Sequence, residues 1–288
     1  MSRFAFLFIF LFSIAEAGAQ TPSGSPAPAP SAAPSAPSAA VAATPAATPS
    51  PVTLNTSATT AKITYSHVNV DGPYIAMTFD DGPSGPNTPR LLDLAAKKHI
   101  KLTFFLIGEN AARYPQLVQR ELAEGHEVGN HSYTHPDLAK MSDAAVRSEI
   151  QKTQDAIIAA SGYKPILMRP PYGAMTPKQR LWVSHDFGVK IILWEVDPLD
   201  WKRPGPDVVA SRIIAAVRPG SIILSHDIHS QTVDAMPKVF STLLAKGYKF
   251  VTVSELIAMD KGPLKPKSTS TTSSGGPETA AANPGSTQ

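Results

Sequence analysis

Two adjacent carboxylates, Asp80 and Asp81, are the first residues in this sequence that could do chemistry. They follow the apolar run Tyr74–Phe79 and precede a Gly-Pro pair. Adjacent acids at the end of a buried strand repel each other unless their roles differ, so one could bind a metal ion while the other accepts a proton. Asp-Asp-Gly-Pro is also typical of an ordinary turn, and the four residues alone leave both interpretations open.

Two histidines, His131 and His135, form a second group at a spacing of four residues. In one helical turn this spacing points both imidazoles the same way, so they could share an ion. With Asp81 they would offer two nitrogens and one carboxylate oxygen and leave positions for water. No glutamate lies between them, which excludes the His-Glu-x-x-His protease pattern. A pair of structural or surface histidines is the alternative.

Three later segments supply a cation, another acid and a third histidine. Arg169 begins a rigid Arg-Pro-Pro-Tyr-Gly loop, Asp197 begins Asp-Pro-Leu-Asp-Trp, and His226 lies in Leu-Ser-His-Asp. Arg169 could hold a catalytic carboxylate or one in a structural turn. A carboxylate partner would keep His226 protonated near neutral pH. Non-haem iron oxygenases also use two histidines and a carboxylate, but the second acid and third histidine favour hydrolysis.

The remaining histidines lack such neighbours, and we interpret them as surface or packing residues, with His229 as the strongest exception; they are His67, His99, His126, His185 and His229. The chain has no cysteine, so any metal must be held by nitrogen and oxygen ligands. Such ligands favour zinc, with cobalt, nickel, manganese and iron left open.

Seven β-rich runs alternate with helical patterns and must position these groups. The predicted strands are Tyr74–Phe79, Lys101–Ile107, Glu127–Gly129, Ile166–Met168, Lys190–Trp194, Ser221–Leu224 and Lys249–Val253. Predicted helices include Thr88–Lys98, Pro115–Glu124, Asp143–Ala160, Pro206–Val217 and Ala235–Lys246. Strands joined by helical crossovers pair in parallel, in an open doubly wound sheet or a barrel. The candidate residues all follow strand C-terminal ends, which favours a β/α barrel with its site on that face. No glycine-rich phosphate loop follows the first strand, which weakens a nucleotide-binding alternative.

Taken together, the segments resemble the five motifs of the polysaccharide deacetylases of carbohydrate esterase family 4, also called the NodB homology domain. The resemblance spans about residues 62–260 and includes the runs Thr-Phe-Asp-Asp-Gly, His-Ser-x-x-His, Arg-x-Pro-Tyr-Gly, Asp-x-x-Asp-Trp and Leu-x-His, all intact. It implies an α/β fold, a distorted (β/α)7 barrel, with one divalent metal ion and removal of acetyl groups from polysaccharides.

The resemblance also implies a role for each candidate residue. Asp81, His131 and His135 would hold the metal. The catalytic set would be Asp80 as general base with Arg169 as its partner, His226 as acid tuned by Asp197, and the Tyr172 backbone N–H for the oxyanion. The substrate-binding set would be Pro171, Tyr172, Trp201 and Leu224, with the last two around the acetyl methyl group.

The flanks differ in composition from the segment 62–260. Residues 1–19 resemble a signal peptide with the apolar run Phe4–Ala15, and a retained anchor is the alternative. Residues 20–61 hold nine of the 28 prolines and no charged residue, which predicts a disordered linker that is either a spacer or only a solubilising segment. Residues 261–288 are a similar predicted tail. Basic and acidic residues nearly balance in 62–260, so no basic field for nucleic acid or an anionic membrane is expected.

These observations predict a secreted, periplasmic or extracellular enzyme that removes N-acetyl groups from N-acetylglucosamine polymers, either peptidoglycan or chitin-type oligosaccharides. An O-acetyl esterase acting on xylan could use the same residues. A non-catalytic glycan-binding protein is a third hypothesis, which the intact base, acid and ligand set disfavours.

Overall fold

The strand that ends at Asp80 pairs with three neighbouring strands in the parallel sheet of a computed structural model, which describes residues 62–262. The strands are β1 (Thr64–Tyr65), β2 (Tyr74–Asp80), β3 (Thr103–Leu106), β4 (Glu127–Asn130), β5 (Leu167–Met168), β6 (Lys190–Ile192), β7 (Ile222–Ile223) and β8 (Lys249–Phe250). Each of the seven predicted strands is present, and β1 is an additional strand that the sequence reading missed. The predicted α/β class with parallel pairing is confirmed.

Helices connect the strands and cover the outside of the sheet. They are α1 (Thr88–Lys98), α2 (Gly108–Arg113), α3 (Pro115–Ala123), α4 (Asp143–Ser161), α5 (Pro177–Phe187), α6 (Pro206–Ala216), α7 (Ser230–Ala245) and α8 (Val253–Ala258). The predicted start of α7 at Ala235 is wrong, because the helix begins at Ser230 and contains Pro237 in its interior. Thr232, Val233 and Met236 are buried before the proline, so the packed face of α7 begins well ahead of it and continues beyond it.

The sheet curves until its two ends meet. The hydrogen-bonded order is β1-β6-β5-β4-β3-β2-β7, and β8 pairs with the first residues of β2. A parallel bridge between Val196, just beyond β6, and Ile223 of β7 closes the sheet, together with an antiparallel bridge between His67, just beyond β1, and Ser221. Strands β2 to β7 therefore surround a common interior, and their C-terminal ends open on one face, as in a β/α barrel.

The side chains of β2 alternate between the interior and the helices. Ile75, Met77 and Phe79 belong to the core between sheet and helices, while Ala76 packs in the smaller interior cluster. Because successive side chains of a strand point to opposite faces, Thr78 and Asp80 share the interior side with Ala76. The last interior position of β2 is thus the Asp80 carboxylate, at the open end of the sheet.

Three glycines follow the ends of helices. Gly125, Gly162 and Gly247 have φ values of 78°, 74° and 84°, in the left-handed region that a side chain disfavours. None of the helices within residues 62–262 combines the length and apolar character needed to cross a membrane.

The proposed domain limits remain predictions. The leader (1–19) and the linker (20–61) lie outside the described residues, as does the tail from residue 263 onward. The first two residues of the predicted tail are held against the domain, since the Lys261 N–H donates to the Asn69 carbonyl and the Asn69 side chain donates to the Gly262 carbonyl.

Candidate active site

A cavity of about 380 Å³ opens at the C-terminal ends of the strands. Its lining is rich in imidazoles, carboxylates and aromatic rings and consists of Asp80, Asp81, His131, His135, Tyr172, Trp194, Asp197, Trp201, Leu224, His226 and His229. Residues from five separate predicted segments therefore meet here, as the barrel reading predicts. His229, the exception among the unassigned histidines, is one of them.

Asp80 is held by the buried Arg169 guanidinium. Arg169 Nη1 lies 2.7 Å from Asp80 Oδ1 and 2.7 Å from Thr78 Oγ1, and its Nη2 donates to the Leu193 carbonyl at 3.1 Å. Both Arg169 and Asp80 are almost completely buried, and the guanidinium lies 4.2 Å from the Phe105 ring centre. The Arg169 side chain does not line the cavity, so it can influence chemistry only by holding Asp80.

Asp81, His131 and His135 form the one group of candidate metal ligands within residues 62–262, with ligand atoms that all lie within 4.8 Å of one another. Asp81 Oδ1 is 3.4 Å from the Nε2 atom of each histidine. This oxygen is buried, and no residue in 62–262 hydrogen-bonds to it. Burial alone would raise the pKa of Asp81, but the nearby imidazoles of His131, His226 and His135 lower it to about 2. An ionised, unpartnered oxygen between two imidazole nitrogens fits a divalent cation.

The protonation of His131 is set by the backbone. Its Nδ1 lies 2.7 Å from the Arg169 carbonyl oxygen, which can only accept a hydrogen bond. Nδ1 therefore carries the proton, and in the neutral ring Nε2, which faces Asp81, keeps its lone pair for a metal. Arg169 thus supports two parts of the site, Asp80 through its side chain and His131 through its carbonyl group.

The two histidines converge through a loop rather than through the predicted helical turn. Ser132 and His135 both have positive φ, 64° and 62°, which no helix contains. The loop is held instead by side chains: Asn130 Oδ1 accepts from the Ser132 N–H, and one Glu149 oxygen accepts from the N–H groups of Tyr133 and Thr134. The ring centres of the pair are 5.0 Å apart.

The expected partner of His226 is wrong. His226 Nδ1 lies 2.9 Å from Asp200 Oδ1, and its backbone N–H donates to the other Asp200 oxygen at 2.8 Å. Burial would lower the pKa of His226, but the Asp200 carboxylate, helped by Asp80 and Asp81, raises it to about 9. Thr232 Oγ1 also donates to Asp200, so the carboxylate is fully engaged and almost wholly buried.

Asp197 lies in the cavity wall but has a different local task. Its Oδ1 accepts from the Leu199 N–H at 2.8 Å, which bends the chain so that Leu199 adopts a left-handed conformation. Because of that turn, Asp200, three residues after Asp197, lies against His226. Sequence reasoning could have considered both acids of Asp-Pro-Leu-Asp, since it had no basis for preferring the first.

The predicted substrate-binding residues divide into two sets. Tyr172, Trp201 and Leu224 line the cavity, whereas Pro171 is buried and lies outside the lining. Tyr172 has a φ of 58°, and its N–H donates no hydrogen bond within residues 62–262. Its ring is 68% exposed and meets His135 edge-on, and Trp201 is 49% exposed. Two open aromatic faces therefore flank a small polar interior.

Trp194 and Asp227 were not identified from the sequence. Trp194 lines the cavity and lies close to the position where a Cβ on Gly173 would stand. Asp227 is wholly buried, accepts from Thr88 and packs against Gly82, the residue after Asp81. Burial raises the pKa of Asp227 to about 7. No motif marks Trp194, although an acid directly after His226 was a visible signal.

Comparisons with known proteins agree with this arrangement. Residues 67–192 match the family model described as polysaccharide deacetylase. A peptidoglycan-N-acetylglucosamine deacetylase of Listeria monocytogenes is 44% identical over 182 residues, covering 63% of this chain and 38% of that protein. The chain thus spans well under half the length of that relative. A peptidoglycan-N-acetylglucosamine deacetylase of Bacillus cereus is 40% identical over 198 residues, covering 66% of this chain and 72% of that protein.

A solved structure gives the same result. The crystal structure of the Bc1960 peptidoglycan N-acetylglucosamine deacetylase in complex with 4-naphthalen-1-yl-N-oxidanyl-benzamide is 36% identical, with a TM-score of 0.66, over 69% of this chain and 95% of that chain. The motifs, the fold and these similarities lead to one conclusion: the chain belongs to the polysaccharide deacetylases of carbohydrate esterase family 4.

Proposed function

We propose that this protein hydrolyses the N-acetyl groups of N-acetylglucosamine-containing glycans, peptidoglycan or chitin-type oligosaccharides, to give acetate and a free amine. One observation carries the proposal: a held carboxylate, a candidate metal triad and a protonated histidine line the same cavity. These are the three components that amide hydrolysis needs, because water must be deprotonated, the carbonyl polarised and the amine protonated.

Asp81, His131 and His135 would hold one divalent cation, and zinc suits two imidazoles and a carboxylate. When bound, the cation would act as a Lewis acid that polarises the acetyl carbonyl group and acidifies water. The fixed His131 proton on Nδ1 supports this role, because it leaves Nε2 free to act as a ligand.

Asp80 would take the proton from the attacking water. Its Oδ1 atom is occupied by Arg169, and Oδ2 lies 3.6 Å from His131 Nε2, next to the triad. The Arg169 contacts hold the carboxylate in one orientation, so Asp80 meets the water without losing side-chain freedom in the reaction. The backbone N–H of Tyr172 donates no hydrogen bond within residues 62–262 and would donate to the developing oxyanion.

His226 would protonate the leaving nitrogen. An amine leaves poorly as an anion, so the C–N bond breaks only when a proton reaches the nitrogen. The Asp200 contact raises the pKa of His226 to about 9, which keeps the proton available at neutral pH. Leu224 and Trp201 would surround the acetyl methyl group, while the open faces of Trp201 and Tyr172 leave room for the sugars.

The site of action would be outside the cytoplasm. The signal-peptide-like leader and the Pro/Ala/Ser-rich linker support secretion to the periplasm, the cell wall or the medium. The glycan substrates named for the relatives are compatible with that location.

The test is acetate release from N-acetylglucosamine oligomers and from peptidoglycan by the full chain. We expect turnover that a chelator abolishes and a divalent ion restores, and Asp80→Asn should lower kcat about 1,000-fold. Lys190→Gln, an exposed lysine on β6, serves as the control variant. Full activity in the metal-stripped protein or in Asp80→Asn would refute the mechanism.

The same assay separates the alternatives. An alkoxide leaves more readily than an amine, so an O-acetyl xylan esterase would be faster on acetylated xylan and would depend less on His226. His226→Ala should therefore lower amide turnover far more than ester turnover. A glycan-binding protein without activity would bind metal and glycan but release acetate from neither substrate.

A further inference from the structure

A second cavity of about 260 Å³ adjoins the catalytic cavity and shares His229 with it. Its lining consists of Arg203, Ile228, His229, Ser230 and Gln231. The two cavities therefore adjoin at His229, and a glycan bound across the catalytic cavity would reach the second with its next sugar or that sugar's substituent.

The two cavities differ in charge. Three carboxylates line the catalytic cavity, Asp80, Asp81 and Asp197. None lines the second cavity, where Arg203 contributes a cation. In the second cavity an anionic group would meet a cation with no carboxylate beside it.

Arg203 is unoccupied by the protein. Within residues 62–262 its guanidinium makes no hydrogen bond and no ion pair, whereas Arg90, Arg120, Arg147 and Arg218 each contact a carboxylate. Arg203 extends from a backbone that is firmly held, because its N–H donates to the Asp200 carbonyl at 2.8 Å. The adjacent Gly205 N–H donates to Gln231 Oε1 at 3.0 Å, which leaves the two N–H bonds of that amide for a ligand.

We propose that this second cavity binds a carboxylate carried by the sugar next to the one that is deacetylated, with Arg203 as its main contact and Gln231 as a further donor. The arginine fork matches a carboxylate with two parallel hydrogen bonds. The inference rests on the proposed function and narrows it: the preferred substrate is an acidic glycan of the peptidoglycan type, not neutral chitin oligosaccharide.

The experiment compares matched glycans and matched variants. The substrates are a tetrasaccharide of N-acetylglucosamine, an N-acetylglucosamine–N-acetylmuramic acid tetrasaccharide with free carboxylates, and the same acidic tetrasaccharide with its carboxylates converted to amides. The variants are Arg203→Gln, Arg203→Lys and Lys190→Gln, the last removing an exposed charge at the opposite end of β6.

We expect Arg203→Gln to raise KM about 10-fold for the carboxylated glycan alone, with kcat unchanged, and Arg203→Lys to recover part of the loss. The preference of the wild type for the carboxylate over its amide should shrink as salt is added. Equal effects of Arg203→Gln on all three glycans, no effect at all, or the same effect from Lys190→Gln would overturn the proposal.

Failure of the proposed function is a separate outcome, because it appears as no acetate release from any glycan by the wild type. In that case, binding of the carboxylated and amidated glycans by calorimetry still decides the question. Tighter binding of the carboxylated glycan that Arg203→Gln removes supports the second cavity as a carboxylate site, and equal binding overturns it.

Discussion

The two walls of the catalytic cavity are built differently. The first wall contains Asp80, Asp81, His131 and His135, which lie at or within five residues of the ends of β2 and β4. The second wall contains Trp194, Asp197, Trp201, Leu224, His226 and His229, of which the first three come from the single loop between β6 and α6. Pairs of residues that follow two strands form the first wall, and one long loop supplies half of the second.

This difference explains where sequence reasoning succeeds. Parallel pairing determines where a strand ends relative to its neighbours, so residues at strand ends converge predictably. The loop between β6 and α6 has no such rule, and a three-residue change in the path of the chain exchanges one acid for another. Asp197 and Asp200 are such a pair, and only Asp200 meets His226.

The largest expected effect is on the free energy of unfolding, when Arg169 no longer supports Asp80 of the first wall. Arg169→Met leaves the Asp80 carboxylate buried without its cation, and we expect a loss of about 3 to 5 kcal/mol in the free energy of unfolding. Chemical denaturation measures this loss. The double variant Asp80→Asn/Arg169→Met should recover much of it, since the uncompensated charge is gone, and additive losses in the two single variants would contradict the ion-pair interpretation.

The second prediction separates the two acids of the second wall. Asp200→Asn should lower kcat about 100-fold, because His226 loses the charge that keeps it protonated, whereas Asp197→Asn should change kcat less than about 3-fold. Initial rates of acetate release, with folding checked by circular dichroism, provide the measurement. A larger loss in Asp197→Asn would restore the pairing that we expected from the sequence.

The third prediction concerns pH. The folded pKa of His226, about 9, lies above its ordinary 6.5, so the stabilising contact with Asp200 is fully present below about 6.5 and is lost as pH rises through about 9. His226 also loses its proton, and with it the acid role, over the same pH range, so kcat/KM should fall to half of its maximum near pH 9. In Asp200→Asn this alkaline fall of the pH profile should move toward lower pH. An unchanged profile would assign the fall to another group.

The smallest expected effect lies between the two walls. Asp227 follows His226 of the second wall and packs against Gly82 beside the first, and burial raises its pKa to about 7. The folded protein therefore favours the protonated form, and stability declines as pH rises from about 4 to about 7. Asp227→Asn should gain about 1 kcal/mol or more at pH 8 and less at pH 5.

Urea denaturation at the two pH values tests the Asp227 prediction. Asp155→Asn, a change at an exposed acid on α4, is the matched control and should leave stability almost unchanged at both pH values. A loss of stability in Asp227→Asn at pH 8 would contradict the prediction, because it would show that the ionised carboxylate stabilises the fold where Asp227 packs against Gly82.

Much of the fold follows from local patterns. The seven predicted strands and α1 occur where β-rich runs and a helical pattern place them, because these signals depend on neighbours only a few residues away. Strand β1 is two residues long and carries no such pattern. The start of α7 was also missed, because tertiary burial of Thr232, Val233 and Met236 outweighs the local effect of Pro237.

The histidine pair shows the same limit at the level of the site. Spacing alone suggested a helical turn, and the structure brings the rings together through a loop in which Ser132 and His135 have positive φ. The loop is held by Asn130, which accepts from Ser132, and by Glu149, which accepts from the two residues that follow it. Glu149 lies on α4, fourteen residues after His135, so no local rule could have selected it. The ligand set was nevertheless identifiable, since chemistry and order along the chain were enough.

The sequence by itself determined the chemical inventory: which acids, imidazoles and cation are present, on which strand ends they lie, and that no thiol competes for a metal. Tertiary structure alone decided the pairings: Arg169 with Asp80, Asp200 with His226, and Trp194 in the cavity wall. The physical reason is range. Strand and helix signals act over a few residues, whereas a hydrogen bond across 26 or 89 residues depends on how loops return to the sheet.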